Sequence, residues 1–109
     1  MVKDNIIITS ALPYANGEIH LGHIVSTYLP ADILSRFYRL LGNNVVFTCA
    51  SDDFGTPILL QSEKQNKTPE EYVKYWRDRD LKDFTDLGIM FDDFRNTSSK
   101  ENINLTQYF

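Results

Sequence analysis

His20-Leu21-Gly22-His23 sets two imidazoles three positions apart across a glycine. Rings at that spacing can offer directed N–H donors to an anion, and Gly22 omits the side chain that would keep a ligand from the backbone. If the tetrapeptide stands where a loop enters a helix, the helix dipole and its unpaired N–H groups favour negative charge at the same place. That combination suits a nucleoside triphosphate. The plainer alternative is two histidines half-exposed at a helix start with no ligand, and an isolated H-x-G-H string does not decide between them. A second candidate is Ser51-Asp52-Asp53-Phe54-Gly55-Thr56-Pro57, whose adjacent carboxylates could pair a substrate ammonium. Its alternative is a solvated turn in which an aspartate caps a helix beginning near Pro57.

The elements around these residues decide more than their types do. Ile6-Ile7-Ile8-Thr9, within Asn5 to Ser10, is a β-branched run without polar alternation. It predicts a central strand buried on both faces of a parallel sheet. Beyond Pro13-Tyr14-Ala15-Asn16-Gly17, apolar residues recur at Leu21, Ile24, Val25, Tyr28, Leu29, Ile33, Phe37, Leu40 and Leu41, a helical spacing closed by Gly42. The helix should cover about 20–42, with a kink or local break at Pro30, which lacks an N–H. Asn16-Gly17 is also a hairpin signal, but its flanks lack strand alternation, which favours a tight turn aiming the helix.

Val45-Val46-Phe47-Thr48-Cys49 predicts a second buried strand over Asn44 to Ala50. Thr56-Pro57 can cap and begin a short helix through about Gln65 that stops at Asn66. Thr68-Pro69-Glu70-Glu71 forms a capping box for a longer helix, with Val73, Trp76, Leu81, Phe84 and Leu87 as its apolar stripe up to Gly88. A third strand is expected over about Ile89 to Phe94. Strand alternating with helix argues an α/β fold, a Rossmann-like parallel sheet built of βαβ units. Ligands of such sheets gather beyond the carboxyl ends of the strands, where residues 9–23 and 50–57 both fall.

Composition narrows the classes. The chain has 109 residues, 42% hydrophobic and 24% charged, which excludes global disorder and fits one domain, 1–109, or a piece of a larger one. A net charge of -4 puts most of any nucleic-acid-binding surface elsewhere. The single Cys49 cannot form an internal disulfide or a metal cluster, and a buried thiol in an apolar run fits a reducing, cytoplasmic setting. No signal-peptide region and no apolar run of the ~20 residues needed to span a bilayer is present, so no membrane association is expected.

The thirteen residues Ala11-Leu12-Pro13-Tyr14-Ala15-Asn16-Gly17-Glu18-Ile19-His20-Leu21-Gly22-His23 resemble the first signature of methionyl-tRNA synthetases, including the H-I-G-H-type motif of class I synthetases. Cys49-Ala50-Ser51-Asp52-Asp53-Phe54-Gly55-Thr56-Pro57 resembles that family's second conserved block. Ser51 and Phe54 depart from many bacterial members, which carry Asp and His there, and look more like archaeal and eukaryotic ones.

The resemblance implies that His20 and His23 contact the ATP phosphates and stabilise the transition state, with Gly22 beside the nucleotide. It implies that Ala11, Leu12 and Tyr14 help form a methionine pocket and that Asp52 binds the α-ammonium group. The implied parent enzyme activates methionine with ATP and Mg2+, then esterifies the 3′ end of tRNA(Met). Residues 1–109 would be the N-terminal segment of its catalytic domain, truncated at the C-terminus. Lacking a Lys-Met-Ser-Lys-Ser-type second signature, the segment alone would be inactive. Zinc could belong to the parent, but no ligands for it stand in this segment. Asp92-Asp93 and Asn96-Thr97-Ser98-Ser99 correspond to a strand and turn leading to another helix and receive no chemistry. Two alternatives are an isolated nucleotide-binding module and an H-x-G-H nucleotidyltransferase-like domain.

Overall fold

A computed structural model describes residues 3–109. Strands β1 (Asn5–Thr9), β2 (Asn44–Ser51) and β3 (Asp93–Asn96) form a parallel sheet in the order β1-β2-β3. Pairs Ile6↔Val45, Ile8↔Phe47 and Cys49↔Phe94 fix the register. Side chains alternate across a strand, so these residues share one face. Ile24, Tyr28, Phe84 and Ile89 close the core upon it. Phe84 meets Tyr28 and Phe91 at ring-centroid distances of 4.7 and 5.2 Å. Truncating a buried ring of this kind costs about 3–5 kcal/mol.

The opposite face corrects the reading of β1 as a central strand buried on both sides. Among the described residues β2 is central and β1 lies at an edge, with Ile7 73% and Val46 48% exposed. The core lies on one face only, so the continuous apolar run is half uncovered.

The expected first helix is three segments in one continuous rod: α1 (Leu21–His23), a π-helical stretch (Ile24–Tyr28) and α2 (Leu29–Leu40). Pro30 does not break it. The wider π turn, Ile24–Tyr28, ends immediately before the turn that holds Pro30, so the irregularity the proline was expected to cause is a change of helical pitch next to it. Gly42, at φ +88°, follows the end of α2 as expected.

Helix α3 (Thr56–Lys64) takes Gly55 as its N-cap, without a side-chain cap bond, whereas Thr56 was the expected cap. Asn66, at φ 54°, ends it as expected. Helix α4 (Pro69–Asp86) opens on the expected capping box: the Glu71 N–H donates to Thr68 Oγ1 at 3.2 Å and the Thr68 N–H to Glu71 Oε2 at 3.0 Å. Its buried residues are Tyr72, Val73, Asp80 and Phe84, while Leu81 and Leu87 are exposed.

β3 begins later than the predicted Ile89 to Phe94, because other groups capture that backbone first. The Met90 N–H donates to Asp32 Oδ1 at 3.0 Å, and the Gly88 carbonyl accepts from Arg36 at 2.7 Å. Asp92 then donates its N–H to the Phe47 carbonyl and accepts the Phe47 N–H on its carboxylate, so pairing as a strand starts at Asp93. Helix α5 (Lys100–Tyr108), capped by Ser99, follows.

Candidate active site at the carboxyl edge of the sheet

The two candidate loops are hydrogen-bonded to each other. The Ala15 N–H donates to the Asp52 carbonyl at 2.9 Å, and the Asp52 N–H to the Pro13 carbonyl at 2.8 Å. These bonds make a parallel bridge, Tyr14↔Asp52, that carries the β1–β2 pairing past the strand ends. Asn16-Gly17 is therefore no hairpin; the Asn16 N–H turns back to the Tyr14 carbonyl at 2.8 Å. Helix α4 fixes the loop from the side. Ala15 is buried against Ile58, Tyr72 and Val73, the Tyr72 hydroxyl bonds Asn16 Oδ1 at 3.0 Å, and Arg79 pairs with Glu18 at 2.5 Å.

A cleft of about 390 Å³ opens here, walled by Ala11, Leu12, Pro13, Tyr14, Asn16, Gly17, Glu18, Ile19, His23, Thr27 and Tyr28. It brings together most of the first-signature residues. His20 is not among its walls and borders a neighbouring hollow with Leu21, Ile24 and Asp83. Asp52 is joined to the cleft through its backbone bridge and is not a wall of it. Among the described residues its carboxylate accepts only a long 3.4 Å bond, from the Phe54 N–H, and does not cap α3.

His20 is the N-cap of α1. Its Nδ1 accepts the Gly22 N–H at 3.1 Å, and the His20 N–H donates to His23 Nδ1 at 3.4 Å, while the rings stack at 3.7 Å. With both Nδ1 atoms accepting, each neutral ring carries its proton on Nε2, leaving two Nε2–H donors for an incoming anion. A Cβ on residue 22 would lie 2.9 Å from the His20 ring, so Gly22 is what admits the cap.

Burial raises the pKa of several groups in the core. Tyr28 is pushed up to about 12 by burial first, then by Cys49 and Asp80. Burial likewise raises Cys49 above the ordinary thiol range. Asp80 is fully buried, neither carboxylate oxygen has a hydrogen-bond partner among the described residues, and burial followed by the like charge of Asp83 raises it to about 7. Among the described residues no group of three His, Cys, Asp or Glu side chains is placed to hold a metal ion. Among the same residues, no helix is long and apolar enough to cross a membrane.

Arg77, Tyr72, Arg79, Thr27 and Tyr28 were not expected at the site from the sequence, and Asp53 was expected there only as a carboxylate beside Asp52. Tyr72, Trp76 and Arg79 recur at helical spacing, and that spacing was the available signal for the α4 face that holds the loop. Asp53 carried no signal beyond lying next to Asp52.

The sheet and its flanking helices match those of LeuRS from Agrobacterium radiobacter K84, solved in a ternary complex with tRNA and LeuAMS. The TM-score is 0.87 at 22% identity, over 97% of this chain and 14% of that one. The fold is that of a class I synthetase. Residues 6–109 match the family model described as tRNA synthetases class I (M). The methionine–tRNA ligase of Azoarcus sp. (strain BH72) is 50% identical over 97 residues, that of Rubrobacter xylanophilus 44% over 107, and that of Thermoplasma acidophilum 42% over 109. These alignments cover 89%, 98% and 100% of this chain. The chain belongs to the class I tRNA synthetases (M). It spans 13%, 18% and 20% of the length of those three relatives.

Proposed function

We propose that this chain is the N-terminal segment of the catalytic domain of a methionine–tRNA ligase that activates methionine with ATP and Mg2+ and transfers it to the 3′ end of tRNA(Met). The observation that carries the reading is the Tyr14↔Asp52 bridge, which sets the first-signature loop and the carboxylate loop side by side at the carboxyl edge of the sheet. Family membership favours a ligase over a free-standing nucleotidyltransferase. A cytoplasmic location follows from the same reading.

In the first step a methionine carboxylate oxygen attacks the α-phosphorus of ATP, the bond to the bridging oxygen breaks, and pyrophosphate leaves. The nucleophile is already ionised at neutral pH, so no general base is needed and catalysis rests on positioning and charge stabilisation. The Nε2–H groups of His20 and His23 donate to the phosphates as charge develops. Ala11, Leu12 and Tyr14 enclose the apolar side chain of methionine, and Asp52 pairs its ammonium. A ribose hydroxyl at the tRNA 3′ end then attacks the activated carbonyl, the bond from that carbon to the phosphate oxygen breaks, and AMP departs as the hydroxyl proton is lost to the leaving phosphate or to water. No step is assigned to zinc.

The test is methionine-dependent exchange of pyrophosphate into ATP by the full-length protein, with and without Asp52→Ala. Unpairing an ammonium in a water-excluded pocket costs about 3–5 kcal/mol, so the methionine KM should rise by about two to four orders of magnitude while melting is unchanged. Ordinary methionine dependence in the variant would return Asp52 to a turn role.

A further inference from the structure

Asp52 makes almost no hydrogen bonds through its own side chain, so something else must aim it. On one side its backbone is held by Pro13 and Ala15. On the other lies Asp53, whose carboxylate is fully buried and accepts three donors. Oδ1 takes the Ser51 hydroxyl at 2.6 Å; Oδ2 takes the Ser98 hydroxyl at 2.5 Å and the Arg77 guanidinium at 3.3 Å. The Asp53 N–H donates to Thr97 Oγ1 at 2.9 Å, and the Thr97 N–H to the Ser51 carbonyl at 3.0 Å. The end of β2, the middle of α4 and the turn between β3 and α5 therefore converge on one carboxylate.

We propose that Asp53 is a positioning residue for amino-acid binding: its buried carboxylate clamps residues 51–54 so that Asp52 meets the substrate ammonium. The inference rests on the ligase reading for what Asp52 binds, but not for the existence of the clamp. A buried charge is tolerable only when paired and hydrogen-bonded, and here one guanidinium and two hydroxyls meet that condition. An amide cannot replace it. The serine hydroxyls can rotate to accept from an NH2 group, but the Arg77 guanidinium has only donors, so Asp53→Asn would leave Arg77 with a single contested carbonyl oxygen or with no partner on this side chain. The residue before Asp53 would then lose its aim by a fraction of an ångström, although Asp53 itself touches no substrate.

The experiment uses the full-length enzyme with Asp53→Asn, Arg77→Met and the pair combined, measuring methionine and ATP KM separately in pyrophosphate exchange. Misplacement by about 1 Å can cost about 100-fold, so the methionine KM should rise by about ten- to hundredfold while the ATP KM moves by less than about threefold. The double variant should lose no more than the worse single one, since both break the same clamp. Ser98→Ala, a milder cut, keeps the test open if Asp53→Asn does not fold, and should raise the methionine KM alone. Amide hydrogen exchange on the same proteins separates the clamp from the ligase reading. Loosening the clamp should speed exchange in 51–54 and 97–98 together, whatever the substrate. Absence of methionine-dependent exchange in the unmutated enzyme would sink the ligase reading, while coupled loosening would still support the clamp. Unchanged exchange in both segments, or methionine and ATP KM rising equally, would overturn the proposal.

Discussion

Replacing Asp80 by asparagine should remove a pH-dependent cost from the fold. The carboxyl lies on α4 with Arg79 and Asp83 as charged neighbours, and acts on Tyr28 across the core. One turn earlier the Trp76 Nε1–H is also buried, with no partner among the described residues. Below pH about 4 the group is protonated in both states and costs nothing electrostatic. Between its ordinary value of 3.8 and about 7 the unfolded chain ionises it while the fold holds the proton. The folded state then binds more protons, so stability falls as pH rises through this window and levels off above it. At about 1.4 kcal/mol for each tenfold change in proton affinity, the loss reaches about 4 kcal/mol above pH 7. Urea melts of the protein and of Asp80→Asn, taken from pH 4 to 9, measure it. The variant should match the unmutated protein near pH 4 and exceed it progressively to pH 7. Parallel stability curves would refute the reasoning, because they would mean that Asp80 ionises in the fold as easily as out of it.

Two other substitutions test the site. Gly55 has φ +132°, and a Cβ there would lie 2.5 Å from the Tyr14 hydroxyl. Gly55→Ala should cost about 1–3 kcal/mol in thermal melts and raise the methionine KM as Tyr14 is displaced; a variant that melts and binds normally would show that the contact yields freely. In the full-length enzyme, His20→Ala or His23→Ala should slow adenylate formation by the equivalent of about 2–4 kcal/mol, with little change in methionine binding, since these donors act as charge develops. Single-turnover kinetics decides, and unchanged rates in the double variant would dispose of the assignment.

What could be read from sequence followed from local chemistry. The Thr68/Glu71 box, the stop at Asn66 and the H-x-G-H string at a helix entrance are decided within a few residues, and they stand where expected. The misplaced features depend on distant partners. β3 starts at Asp93 because Asp32, 58 residues before Met90, takes that N–H first. Leu81 was expected in the apolar stripe, but the turn of α4 exposes it and buries the neighbouring Asp80 carboxylate instead. The sequence offers Asp53 with Asp52 as a partner for an ammonium, and its clamping role was not legible because two of its three donors come from positions 77 and 98. At the site, the signature residues were legible and the groups that hold them were not, since holding is done across the fold.

The π-helical stretch before α2 works like a phase shifter on a drive shaft. Each residue of an α-helix advances about 100°, and a π turn takes up roughly one extra residue. The shaft therefore leaves Ile24–Tyr28 with its two ends out of step with a single uninterrupted α-helix. Downstream, α2 is tied through Asp32 and Arg36 to the loop that leads from α4 into β3. Upstream, His23 lines the cleft with His20 stacked upon it, and Thr27 and Tyr28, inside the slip, form part of the same wall. The extra residue therefore sets the phase between the bearing surface and the working end, and removing it would turn one against the other by about 100°.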